Sequence, residues 1–241
     1  MTAEHDHIVK AFDQDLKHVD TVIAEMGGLV ETQLAAAIEA MVLRDAEKAE
    51  NIISNDETVD ALERDLDRSI IKLLALRQPM AEDLRVLVAA LKIGSAIERI
   101  GDYARNIARR TLTLAQVPAI GPAKTVARLG RHVIGMLKSV LDAYLTRDAA
   151  KADDVRHSDR EIDAMYISLF RELSTYMMED TRNITSCTHL MFAAKNIERI
   201  GDHITTIAEC VIYLVRGNLP ENRRPGDGSA PIAVVPDGLR H

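Results

Sequence analysis

Aromatic residues make up only 3% of this 241-residue chain, and there is no tryptophan. Sandwiches and barrels usually draw on aromatic and β-branched mass, so the shortage points to helices. Cysteine is scarce as well. Cys187 and Cys210 form no CxxC pair. In a chain of this size they fit small core residues in a reduced compartment rather than a disulfide scaffold. Positive charge is in deficit. The net charge of −7 is a poor basis for binding nucleic acid or anionic lipid. No continuous run approaches about 18 apolar residues. The N-terminus, Met1-Thr2-Ala3-Glu4-His5-Asp6-His7, lacks the basic-then-apolar order of a signal peptide. A cytoplasmic chain is expected, with no nucleic-acid partner and only indirect contact with a membrane. Also missing are a P-loop, a dinucleotide glycine fingerprint, Gly-x-Ser-x-Gly and a zinc-protease motif.

What is present is helical periodicity. Apolar residues recur at three- and four-residue steps from about Ile8 to Leu43, then to Arg77, then from Leu84 to Ile107. The pattern resumes over about Lys124–Leu145, through Ile162, Met165, Leu169 and Leu173, and from about Ile184 to Arg216. All seven prolines fall at breaks or in the last 24 residues, as uninterrupted helices require. Gly27-Gly28 reads as a local bend in the first helix. The segment Val117-Pro118-Ala119-Ile120-Gly121-Pro122 reads as the boundary between two halves. The expectation is an all-α fold: a tandem duplication of an antiparallel three-helix bundle, six long helices in all. The first repeat would span 1–117 and the second 123–217. Residues 218–241 would form a mobile Pro/Gly-rich tail.

The duplication rests on identity. Ile97-Glu98-Arg99-Ile100-Gly101-Asp102 returns as Ile197-Glu198-Arg199-Ile200-Gly201-Asp202, 100 residues on. Arg44-Asp45-Ala46 likewise returns as Arg147-Asp148-Ala149, 103 residues on. On a helix Glu98 and Asp102 share one face, as do Glu198 and Asp202. The preceding helix of each half carries Asp56 and Asp60, then Asp159 and Asp163. Bare and close, such carboxylates raise one another's pKa values. A multivalent cation with oxygen ligands would relieve them, or Arg99 and Arg199 would neutralise the charge. Paired acids on a helix are also ordinary solvated decoration. Gly101 and Gly201 lie in stripes of small residues with Ala90, Gly94 and Ala108, and with Ala194 and Ala208, and these predict close helix packing. His203, beside Asp202, is the one histidine placed to assist a metal; a surface role suits it better. Glu4-His5-Asp6-His7 matches one half-site of a di-iron bundle, but it occurs once, near the terminus.

These motifs resemble the PhoU family, the phosphate-signalling accessory factors of bacteria. The resemblance covers about Phe12–Val215 and is carried by the duplicated Glu-Arg-Ile-Gly-Asp with its upstream Asp-x-x-x-Asp pairs. It implies metal ligation by Asp56, Asp60, Glu98, Asp102, Asp159, Asp163, Glu198 and Asp202, with Fe, Zn, Mn or Mg as the divalent or trivalent ion. The family's ladder often adds an Asn four residues past the Asp; Asn106 fits, whereas Thr206 stands in the second half. The resemblance further implies a cytoplasmic, non-enzymatic negative regulator of phosphate uptake and of the phosphate-starvation response. Its expected partners are a Pst-type phosphate ABC transporter ATPase, a PhoR-type sensor histidine kinase, and a second copy in a homodimer. The alternative is a carboxylate-bridged metalloenzyme, hydrolase-like, acting through metal-activated water.

Overall fold

In a computed structural model the described residues are 2–55, 57–77 and 79–218, with side chains from Gln14 onward. They form seven α-helices: α1 Thr2–Leu43, α2 Ala46–Ser54, α3 Glu57–Arg77, α4 Glu82–Leu114, α5 Ala123–Thr146, α6 Ala149–Glu179 and α7 Ile184–Arg216. A 3-10 turn, Thr181–Asn183, precedes α7. No strand occurs among the described residues. The expected tail, apart from its first residue, Asn218, lies outside them.

The breaks follow local chemistry. Asp45 caps α2 by accepting from the Lys48 amide, and Asp148 caps α6 by accepting from Ala150 and Lys151. Arg44 and Arg147, which precede these caps, both adopt positive φ (58° and 53°). A side chain in that region is strained, and each arginine is anchored. Arg44 donates to the Leu114 carbonyl at the end of α4, and Arg147 donates to both oxygens of Asp20 on α1 at 2.9 and 3.0 Å. Glu82 and Asp83 occupy the first turn of α4, where the helix dipole favours them.

The predicted second helix is divided. α2 stops at Ser54, with the Asn55 amide closing its last turn, and α3 begins at Glu57. Its counterpart α6 runs unbroken through Asp159. The first helix, in contrast, is continuous across Gly27-Gly28. Gly27 serves packing: a methyl there would lie 2.7 Å from Leu141 of α5. Gly130 on α5 receives Ile38 of α1 in the same way, at 2.6 Å. Gly130 is 103 residues after Gly27, and Leu141 is 103 after Ile38. The two contacts are therefore images of each other, and α1 and α5 run antiparallel.

The other central pair repeats this relation. Tyr103 and His203, 100 residues apart, stack with centroids 5.7 Å apart. Arg110 lies over Phe192 at 4.6 Å; the image of that pair is Cys210 and Lys92, whose charge acts on the Cys210 thiol. A pseudo-twofold axis thus passes between Tyr103 and His203, with α4 and α7 antiparallel across it. The helices form two layers, α3–α4–α7–α6 over α1 and α5, with α2 against α1 and α4. One continuous core fills both halves, from Val19 to Leu214.

Gln14–Leu43 of α1 contains a stretch apolar and long enough to cross a membrane. Its apolar face, including Ile23, Met26, Val30 and Leu34, is buried against the other helices, so core packing accounts for that character. Cys187 and Cys210 are buried free thiols.

Candidate metal centre

The two Glu-Arg-Ile-Gly-Asp motifs sit in mid-α4 and mid-α7, where the small-residue stripes admit neighbouring helices. A methyl on Gly94 would lie 2.5 Å from Leu66 of α3. Gly101 is approached by Val30 and Gln33 of α1 and Val59 of α3. Ile97, Ile100, Ile197 and Ile200 are fully buried, which leaves Glu98, Asp102, Glu198 and Asp202 half-buried at the edge of each seam.

In the first half, α3 brings Asp60 and Glu63 within electrostatic reach of Glu98. Burial, followed by Asp102, pushes the Glu98 carboxyl from 4.5 up to about 7, with Glu63 and Asp60 adding to the rise and Arg99 opposing it. Burial, then Asp67 and Asp60, raises Glu63 as well. Arg99 pairs with Glu98 at 3.5 Å and with Asp102 at 3.4 Å, and Arg105 also pairs with Asp102. Repetition does not mark Glu63, because its counterpart 103 residues on is Tyr166. The available signal was its i,i+3 spacing from Asp60. Asp56 lies outside the described residues.

In the second half, Asp159 of α6 leans directly over Gly201: its Oδ1 stands 2.9 Å from where a methyl would be. That places an α6 carboxylate against the glycine of the second motif. Asp163 is exposed on the same helix. Lys195 pairs with Glu198 at 2.6 Å, while Arg199 lies over the Tyr103 ring, 5.9 Å from its centroid. The Thr206 hydroxyl donates back to the Asp202 carbonyl at 3.1 Å, and so serves its own helix. His203 stacks on Tyr103.

The donor set is all carboxylate oxygen, which suits a hard or borderline cation. Among the described residues no group of three or more His, Cys, Asp or Glu side chains is drawn together at ligating distance. The two halves also differ: in the first, Asp60, Glu63 and Asp102 act electrostatically on Glu98 with Arg99 opposing them, whereas in the second Asp159 stands over Gly201 and Lys195 pairs with Glu198.

The PhoU domain model matches this chain twice, over residues 23–111 and 126–211. A phosphate-specific transport system accessory protein PhoU homolog of Rhizobium meliloti is 47% identical over 227 residues, covering 92% of this chain and 94% of its own. The phosphate-specific transport system accessory protein PhoU of Serratia marcescens is 39% identical, covering 88% and 87%. The crystal structure of PhoU from Pseudomonas aeruginosa superposes with a TM-score of 0.84 at 38% identity, over 86% of this chain and all of that one. The PhoU phosphate transport system regulatory protein of Streptococcus pneumoniae gives 0.81 at 28% identity, over 88% of this chain and all of that one. With both halves matched and its relatives aligned along nearly their whole length, this chain belongs to the PhoU family.

Proposed function

We propose that this chain is an accessory regulator of phosphate-specific transport, acting as a non-enzymatic adaptor. The observation that carries the reading is its near full-length likeness to accessory proteins of that transport system. The adaptor would link a Pst-type transporter ATPase to a PhoR-type sensor kinase in the cytoplasm, restraining both when phosphate is plentiful. Such restraint requires unequal affinity for the partners' states, since equal affinity shifts no equilibrium. A two-layer block of long helices with one continuous core offers the rigid face this requires.

The carboxylate clusters fit a bound cation by their chemistry. Glu98 holds its proton to about pH 7 because burial and other acids crowd it. Asp60, Glu63, Glu98 and Asp102 would hold an ion in the first half; Asp159, Asp163, Glu198 and Asp202 would do so in the second. The ion would supply positive charge that fixes α3 to α4 and α6 to α7.

Deletion of the gene in the source bacterium, with a phosphate-starvation reporter, tests the regulatory reading. Derepression in phosphate-rich medium is expected, and a silent reporter would sink it. Elemental analysis of Glu98→Ala with Glu198→Ala tests the ligand assignment: metal content should fall, and unchanged content means the ligands are wrong.

A further inference from the structure

The outer side of the α4–α7 seam carries the opposite charge to the molecule as a whole. Lys92 and Arg99 on α4 and Arg199 on α7 are exposed, and Arg110 and Lys195 are half-exposed. Contacts fix three of them to the seam: Arg199 over Tyr103, Arg110 over Phe192, and Lys92 acting on Cys210; Arg99 pairs with Glu98 and Asp102, and Lys195 with Glu198, along the edges of the strip. Phe192 stands 49% exposed among them. The nearest acids of these helices, Asp102, Asp202, Glu98, Glu198 and Glu209, sit about 60° or more round the helix from Arg99 and Arg199. They face the outer helices on either side. The outcome is a narrow basic strip bordered on both sides by carboxylates, in a chain of net charge −7.

We infer that this seam is the docking groove for an acidic helix of a protein partner. The inference rests on the adaptor reading and specifies the surface it uses. Charge complementarity selects the occupant. From Lys92 to Arg110 the strip is about 27 Å long at 1.5 Å per residue, the length of a five-turn helix. Its width is that of a single helix–helix groove, about 10 Å. A flat anionic membrane would meet the flanking carboxylates as well as the cations, whereas one acidic helix fits between them. Phe192 supplies an apolar anchor of the kind that dominates interfaces. Because its image is Lys92, the two ends of the strip differ, and this sets the direction in which a helix lies.

The test measures binding of the full chain to the purified cytoplasmic regions of the sensor kinase and of the transporter ATPase from the same source. Lys92→Glu with Arg199→Glu should weaken the binding partner's affinity by roughly a hundredfold. Arg131→Glu with Lys138→Glu makes the same charge change on exposed positions of α5 and should cost less than about threefold. Amide exchange in the partner should slow over a helix rich in Asp and Glu. Equal losses in the two double variants, or protection confined to a non-acidic segment, overturn the groove. So does seam-dependent binding to phosphatidylglycerol vesicles. Failure of the unmodified chain to bind either partner overturns the adaptor reading itself, whereas binding that the seam reversal leaves intact overturns the groove alone.

Discussion

Asp159 Oδ1 on α6 occupies the space, 2.9 Å away, that a methyl on Gly201 of α7 would need. At Gly101 the corresponding neighbours are Gln33 and Val30 at 3.4 Å, an ordinary contact. The two motif glycines are identical in sequence and differ in what they make room for. An alanine gains about 1 kcal/mol of helix propensity over glycine. Gly101→Ala should therefore leave stability unchanged or slightly raised. Gly201→Ala should keep the fold, since a carboxylate end swings aside at little cost, but it should displace Asp159. Titration with Mn²⁺ should show second-half affinity falling about tenfold in Gly201→Ala, with first-half affinity unchanged in Gly101→Ala. Equal losses in both would show that Asp159 takes no part.

Glu98 sets a pH dependence of defined sign. Its folded pKa of about 7 lies above the ordinary 4.5, so the folded state binds the proton more tightly than the unfolded state. The resulting penalty is complete above pH 7, shrinks as pH falls from 7 to 4.5, and is absent below that. In chelator-treated protein, Glu98→Gln should be more stable than the parent by about 1–2 kcal/mol at pH 8, discounted for partial exposure. At pH 4 the two should match. Denaturant melts at both values check this. A cation must displace the same proton, so Mn²⁺ affinity should rise with pH through about 7.

The helical class and the breaks at Asp45, Pro79, Pro118 and Asp148 were legible because caps and prolines act locally. The small-residue stripes were legible for the same reason: Gly94 and Gly101 are buried where predicted. The end of α2 at Ser54 was not, since no Gly or Pro marks it and the apolar period continues from Ile52 through Val59 and Leu62. In the sequence Gly27 reads as a bend, because only tertiary packing reveals Leu141 against it. Its partner signal, Gly130 at the repeat offset, was available in the sequence. At the site, repetition found the acids both halves share and passed over Glu63, which only the first half has.

Tyr144, 1% exposed, donates its hydroxyl to Asp20, which also receives Arg147. Burial, then the Asp20 charge, drives the phenol pKa well above its usual value. Asp20→Ala strands a buried hydroxyl and frees an arginine held at positive φ. A loss of about 1–3 kcal/mol is expected. Tyr144→Phe removes the hydroxyl with its need for a partner and should cost about 1 kcal/mol or less. Urea denaturation of both variants checks the order. If Tyr144→Phe proves the costlier change, the hydroxyl contributes more than the anchor it shares.

The mirrored glycine contacts between α1 and α5 predict unequal tolerance. Gly27 faces the end of Leu141, whose two methyls lie 2.7 and 2.9 Å from an added methyl. Gly130 faces three carbons of Ile38, at 2.6, 2.9 and 3.2 Å. A leucine tip rotates away more readily than a β-branched side chain, which is stiff at χ1. Gly130→Ala should therefore overpack the seam by about 1–3 kcal/mol, only partly offset by helix propensity. Gly27→Ala should come out nearer to neutral. The double variant strains both ends of one interface related by the pseudo-twofold axis, so its loss should exceed the sum of the single losses. A double-mutant cycle by chemical denaturation measures that excess. Strict additivity would mean that the two contacts relax independently and that α1 and α5 do not move as rigid bodies about the axis.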